Sequence, residues 1–388
     1  MKHYLWHRFM FEFLRITVGW LVRRIMGYSY TKYKGPDVPT LIIPNHNSNI
    51  DAAMVALCFS RHMYFLSSEH ALRNGLPSKL IKAVFSPISF NKTQTDVRAI
   101  KEMMRRLKAG ANVCLFAEGD RSYSGRTCPI GISAAKLAKK SGADMMTFRL
   151  EGGYFTTPRW SMTRRKGKMT GAVVRRYTAA ELKGMTDQEV LDAIERDIHE
   201  DSYALQRERQ ISYKGKNLAE SIEAALYICP KCKRIGTIVS SGDHFSCDCG
   251  LSGEYADTGF LIGETLPYST ITEWFDWQET EIREIVGRSA DGPICSDTGQ
   301  QLYSVRPGVD KTLAAEGDMW ISREVFHCAG LEVPLGEIIS FVTVGQMELL
   351  FSLMDGSMYE VRSHVPRSAL KYKDIFRLLK GNGGVFLQ

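Results

Sequence analysis

Residues 41–51 read LIIPNHNSNID, an apolar run, a proline, a histidine and an aspartate within eleven positions. The apolar run has the length and composition of a buried strand, and DAAMVALCFS (51–60) has those of a helix. His46 and Asp51 therefore straddle a strand-to-helix junction. Five residues of helix turn through about 500°, so the pair cannot share a helical face. The two side chains meet only if the histidine lies in the entering loop and the aspartate inside the helix. Ser48 is the expected N-cap, with Asp51 at the third helical position in a weak capping box.

Outward from this junction, strand-like and helix-like stretches alternate. The strands are TLIIP (40–44), HMYFLSS (62–68), NVCLFAEG (112–119) and DMMTFRLEG (144–152). Between them, LPSKLIKAVF (76–85), DVRAIKEMMRRLKAG (96–110) and GISAAKLAKKSG (131–142) have helical spacing, the last two closed by glycine. Such alternation implies an α/β fold, a mainly parallel sheet flanked by helices. TDQEVLDAIERDIHEDSYALQR (186–207) reads as one polar amphipathic helix against the domain edge.

In sheets of this kind, ligand sites gather beyond the carboxyl ends of strands. The stretch NVCLFAEGDRSYSG (112–125) runs a buried strand straight into Glu118, Gly119, Asp120, Arg121 and Ser122. That places its loop on the same rim as His46. Gly119 lets backbone approach a ligand, and Arg121 offers a planar fork suited to phosphate. Singly, each residue has a plain structural explanation, such as a helix cap or an ion pair. The conjunction of a His-x4-Asp loop and a Glu-Gly-x-Arg-Ser loop is what points to chemistry.

These two blocks resemble those of the glycerolipid acyltransferases typified by lysophosphatidate (1-acylglycerol-3-phosphate) acyltransferases. NHNSNID (45–51) matches the family's Asn-His-x-Ser-x-x-Asp block. FAEGDRS (116–122) matches its Phe-Pro-Glu-Gly-x-Arg-Ser block, with Ala117 where proline is usual. The resemblance covers roughly residues 35 to 155 and departs from the family twice. ISFNKTQ (88–94) offers Asn91 and Lys92 where an arginine usually ends the intermediate block, and MMTFRLEGGYFTTPRW (145–160) replaces the apolar Val-Pro block. Both departures fall where the family shapes its acceptor site.

By this resemblance His46 is the general base and Asp51 orients it. Glu118, Gly119, Arg121 and Ser122 hold the acceptor, with Lys92 as a second phosphate contact. The implied reaction moves a fatty acyl group from acyl-CoA or acyl carrier protein to a lysophospholipid hydroxyl, in phospholipid biosynthesis. Glycerol 3-phosphate or another lysolipid is the alternative acceptor.

The formal charge of +7 leans toward anionic partners. Its densest concentration, RWSMTRRKGKMTGAVVRR (159–176), is either a solvated basic face or a patch meeting an anionic surface. YLWHRFMFEFLRITVGWLVRRIM (4–26) reads as one helix with a wide apolar face, tryptophans and flanking arginines, the pattern of a helix lying in a membrane surface. No apolar run reaches the roughly 18 residues a spanning helix needs. The nine cysteines form no evenly spaced disulfide framework, and no cleaved leader is evident. A peripheral position on the cytoplasmic face of the cell membrane, against anionic lipids, is expected.

CPKC (229–232) and CDCG (247–250) flank a hairpin-like segment, so Cys229, Cys232, Cys247 and Cys249 supply the ligand set of a structural zinc site. His244 is a possible substitute ligand. Beyond them the chain alternates in strand fashion and ends in a helix, SALKYKDIFRLLKG (368–381). The expected organisation is a membrane-surface helix (1–34), an acyltransferase domain (35–226), a zinc ribbon (227–254) and a small antiparallel β-rich domain, PH-like in element order (255–388). A zinc ribbon on a basic chain also suggests a nucleic-acid binder. That reading wants its basic residues beside the ribbon, where they are not, so no nucleic acid is expected as partner.

Overall fold

The computed structural model describes residues 4–69, 79, 82–93, 96–306, 311–363, 365 and 367–381, and half of the helix expected over 76–85 lies outside them. The chain falls into two compact units. One comprises the residues up to Pro158 with Arg165–Lys214; the other comprises Arg159–Arg164 with the residues from Gly215 onward.

The first unit opens with α1 (Tyr4–Met26), β1 (Tyr28–Tyr30), β2 (Thr40–Pro44) and α2 (Asp51–Cys58). There follow β3 (Met63–Ser68), β4 (Ile88–Phe90), α3 (Val97–Lys108), β5 (Asn112–Cys114), α4 (Ile132–Ser141), β6 (Asp144–Glu151) and a single turn, α5 (Gly153–Thr156). It closes with β7 (Met169–Tyr177), α6 (Ala179–Gly184), α7 (Asp187–Ile198) and α8 (Ser202–Arg209). The seven strands form one sheet in the order β1-β7-β6-β2-β5-β3-β4. Strands β2 to β6 run parallel, while β7 pairs antiparallel with β6, so the sheet is mixed.

The central strand β2 is buried throughout. Its period-2 alternation sends Leu41 and Ile43 into a core with Met103, Leu107, Ala135 and Ile194, and Ile42 into a second core with Phe11, Met54 and Val55. Both faces of the strand are thus covered by helices. Because β2 and β5 are parallel neighbours, the loops that follow them emerge on the same rim of the sheet.

Local chemistry sets several boundaries. Asp96 caps α3 by accepting from the Arg98 and Ala99 amides, and Gly142 ends α4 with φ 63°. The helix expected over 186–207 is two helices. Thr186 opens α7 with a capping box, and Asp201 caps α8 by accepting from the Ala204 amide. Between them, residues 199–201 turn back to pair with the 126–127 segment. The start of α2 also differs from expectation: Ile50 holds the N-cap position without a side-chain bond, and Asp51 is the first helical residue.

Basic run 159–176 does not form one face. Arg159 and Arg165 are buried in different units, Arg175 pairs with Glu181, and Arg176 with Asp144.

The second unit contains a four-stranded antiparallel sheet of β8 (Ile238–Ser241), β9 (His244–Cys247), β10 (Ser252–Tyr255) and β11 (Leu261–Ile262). Then come α9 (Ile271–Arg288) and a seven-stranded antiparallel sheet: β12 (Cys295–Val305), β13 (Thr312–Ile321), β14 (Val325–Cys328), β15 (Leu331–Pro334), β16 (Ile338–Val344), β17 (Glu348–Leu353) and β18 (Met358–Ser363). Its order is β15-β14-β13-β12-β18-β17-β16, closed by α10 (Ala369–Leu379).

Candidate active site

The loop after β2 is built around the Asp51 carboxylate. One oxygen, Oδ2, accepts from the backbone amides of Asn47 (2.7 Å) and Ser48 (2.8 Å) and meets His46 Nδ1 at 2.9 Å. The other accepts from the Ser48 hydroxyl. Asp51 at the first position of α2 is fully buried, where the amino end of a helix also favours a negative charge. A carboxylate satisfied this way holds the imidazole in one orientation and favours the tautomer with the proton on Nδ1.

The His46 side chain keeps 24 % of its surface exposed and stacks on Phe116 with ring centroids 4.3 Å apart. Its other ring nitrogen, Nε2, makes no hydrogen bond among the described residues. The ring's pKa lies below its ordinary 6.5. Burial is the main cause; Asp51 opposes it, and the positive charges of Arg121 and Lys92 add to it. At neutral pH the imidazole is therefore a neutral base with an available lone pair.

The second loop is tied to the first. Glu118 Oε1 accepts from the His46 amide and Oε2 from the Cys128 amide, both at 2.6 Å. Burial pushes the Glu118 pKa up to about 8, against those two donors. Ser122 is buried, its amide donates to the His46 carbonyl (3.4 Å), and its hydroxyl accepts from the Gly125 amide (2.8 Å). Gly119 has φ 69°, a left-handed conformation that glycine adopts without strain. Lys92 reaches Asp120 at 3.2 Å. Arg121 is half-buried and near enough for its charge to act on His46.

The NHNSNID block contains Asn45 and Asn47 without revealing what their side chains bind, and Glu200 lies outside both blocks. Asn45 is buried and pairs with the Leu150 peptide, donating to its carbonyl (2.8 Å) and accepting from its amide (2.7 Å). Its Nδ2 also reaches Asn47 Oδ1 at 3.1 Å. The side-chain Nδ2 groups of Asn45 and Asn47 both donate to Glu200, a buried carboxylate whose pKa burial pushes up to about 8.

In the second unit, Cys229, Cys232, Cys247 and Cys249 converge, with all four sulfur atoms within 4.8 Å of one another. Cys229 and Cys249 are 3.6 Å apart and Cys232 and Cys247 3.8 Å, too far for disulfides. These spacings match the edge of a tetrahedron of thiolates around zinc, roughly 3.8 Å for metal–sulfur bonds of about 2.3 Å. His244 stands outside the group. Two tight turns shape the knuckles: the Lys233 amide returns to the Cys229 carbonyl (2.8 Å) and the Gly250 amide to that of Cys247 (3.0 Å). From α9, Gln278 Oε1 accepts from the amides of Tyr227 and Ile228 and steadies the approach to the first knuckle.

Residues 28–151 match the family model described as Acyltransferase. Among solved structures, the chain is similar to the 1-acyl-sn-glycerophosphate (LPA) acyltransferase PlsC from Thermotoga maritima. That likeness has 17 % sequence identity and a TM-score of 0.40, and covers 50 % of this chain and 95 % of that one.

Proposed function

We propose that this chain, whose residues 28–151 match the Acyltransferase family model, moves a fatty acyl group from an acyl thioester to the hydroxyl of a lysophospholipid. The acceptor that fits best is 1-acylglycerol 3-phosphate, with glycerol 3-phosphate or another lysolipid as alternatives, and the donor is acyl-CoA or acyl carrier protein. The observation that carries this reading is the His46–Asp51 pair, with Nε2 available and two cations beside it.

In this mechanism the acceptor hydroxyl gives its proton to His46 Nε2 as its oxygen attacks the thioester carbonyl. Asp51 stabilises the imidazolium that forms. Collapse of the tetrahedral intermediate breaks the C–S bond, and the thiolate takes the proton back. Arg121 and Lys92 meet the acceptor phosphate, while Gly119 lets it approach the backbone. Glu118 and Ser122 act on the acceptor by holding the shape of the loop that receives it.

The reaction is placed at the cytoplasmic face of a membrane, to which the protein binds peripherally through α1. Phe9, Ile16 and Trp20 of α1 are 62, 63 and 63 % exposed and share a stripe with Leu5, Trp6 and Phe13, while Phe11 and Met26 face the core. Full burial of such a side chain is worth on the order of 1.5–3 kcal/mol, so a stripe of six left in water calls for a cover. Arg8, Arg23 and Arg24 suit anionic headgroups. Among the described residues, no helix is long and apolar enough to cross a membrane. The four cysteines would hold a structural zinc ion, supplying all four ligands themselves and leaving no position for substrate.

The test is an acceptor panel: acyl-CoA with lysophosphatidate, glycerol 3-phosphate or a choline lysolipid, with products read by mass spectrometry. Phosphatidate is the expected product, and His46→Ala is expected to lose 10²- to 10⁴-fold in rate, the usual worth of a general base. No acylated product from any acceptor, or equal rates in the two proteins, would overturn the reading.

A further inference from the structure

Glu200 lies well beyond the residues that match the acyltransferase model, in a segment that reads as the middle of a helix. Its carboxylate is nonetheless buried behind the His46 loop and collects four donors. Oε2 accepts from Asn45 Nδ2 (3.2 Å) and from Asn47 Nδ2; Oε1 accepts from the Gly152 amide (3.3 Å) and the Ser202 hydroxyl (3.1 Å). The two residues flanking His46 in sequence are thus both tethered to one side chain. Asn47 also supplies the amide that bonds Asp51 Oδ2, so a shift of Asn47 moves a donor off the carboxylate that orients the ring.

The Glu200 backbone is itself fixed to the end of the second loop. Its amide donates to Thr127 Oγ1 (2.8 Å), and its carbonyl accepts from the Thr127 amide (3.1 Å). The Ser202 amide donates to the Gly125 carbonyl (3.0 Å). The 199–202 turn therefore grips both loops that form the site: the first through side chains, the second through backbone.

Taking the acyl-transfer reading above as its premise, we infer that Glu200 is a positioning residue for the transfer, acting through Asn45 and Asn47 to hold His46 in register with Asp51. It does not reach the reacting atoms. It acts by removing freedom from the loop that presents the base, the kind of support that keeps a catalytic geometry productive. Its useful property is acceptance of hydrogen bonds rather than negative charge. A glutamine can keep an oxygen on the two asparagines and turn its amide toward the Ser202 hydroxyl, which can accept, losing only the bond from the Gly152 amide.

The experiment compares wild type, Glu200→Ala and Glu200→Gln in steady-state transfer from acyl-CoA to lysophosphatidate, with the His46 ring titration followed by NMR in the same proteins. Glu200→Ala is expected to lower kcat about 10- to 100-fold with KM within about threefold, as for loss of orientation rather than binding. It is also expected to displace the His46 titration, and Glu200→Gln to restore both toward wild type. A Glu200→Ala protein with wild-type kcat and an undisturbed titration would overturn the inference, as would a loss confined to KM. Should Glu200→Ala fail to fold, Asn47→Ala cuts one tether and leaves the carboxylate in place. It carries the same expectation, and wild-type kcat in that variant would equally overturn it. If wild type acylates nothing, the premise fails on its own, while the ring titrations still report whether Glu200 holds His46.

Discussion

The loop at residues 45–51 and the cysteine knuckles at 229–250 are both short turns that bring chemistry-bearing atoms together, but they hold themselves by opposite means. The loop is held by carboxylates. Asp51, Glu118 and Glu200 each accept from two or more N–H or O–H donors, so its polar groups find partners within the protein. The knuckles bring four sulfur atoms within 4.8 Å of one another, with neutral or weak partners such as the Thr237 hydroxyl, 3.2 Å from Cys247 Sγ, beside them. Four thiols at that spacing are poor partners for each other and good ones for a cation. The first region is preorganised by its own hydrogen bonds; the second is a ligand set that a zinc ion would fit.

The sharpest way to break this contrast is to remove one thiol. Wild type is expected to purify with about one equivalent of zinc, and Cys232→Ser to fall at least tenfold below that, measured by elemental mass spectrometry. Limited proteolysis is then expected to cut first between residues 229 and 250. Zinc well below one equivalent in wild type would leave the knuckles without the ion that distinguishes them from the loop.

A smaller effect comes from pH, and the two regions are expected to respond in opposite senses. Glu118 and Glu200 have folded pKa values of about 8, above an unfolded value of roughly 4.3. The fold favours their protonated forms, so their contribution to stability is full below that unfolded value and is lost as pH rises through about 8. With the proposed zinc bound, the knuckles would need thiolates, so protons would compete with the metal and acid would weaken them. In melting measurements between pH 5 and 9, the first unit of wild type is expected to lose Tm as pH rises. Glu200→Gln, which takes up no proton, is expected to flatten part of that slope. An identical slope in the two proteins would remove Glu200 from this account.

Much of the fold was legible because hydrophobic periodicity and cap residues act locally. The strand at 40–44, the helices at 97–108 and 132–141, and the helix at 4–26 follow from apolar spacing and from Asp96 and Gly142 at their ends. That two loops after parallel strands share a rim is also a local inference, and they meet through the bond from the His46 amide to Glu118. What stayed hidden depends on distant partners. Helix 271–288 escaped notice because its buried positions include Gln278 and Glu281 beside Trp274 and Ile282. Gln278 is buried to bond the backbone at 225–228, a need invisible in the helix's own pattern. Glu200 was hidden for a related reason. Its segment has helical composition, and only pairing with residues 126–127 breaks the helix and turns the carboxylate inward. Lys92 enters as a second phosphate contact through the resemblance, at the block where an arginine is usual; the residue that brings it to the second loop is Asp120.

The central claim is that His46 takes the acceptor's proton under the influence of Asp51, and it is tested most directly by following the His46 ring by NMR alongside the pH dependence of kcat/KM. Burial and the two neighbouring cations hold this imidazole below its ordinary 6.5, and Asp51 is the group that raises it. The acidic limb of kcat/KM should therefore coincide with the ring titration below pH 6.5, and both should move lower together in Asp51→Asn. A limb that stays in place while the ring titration moves would contradict the claim and assign the proton to another group.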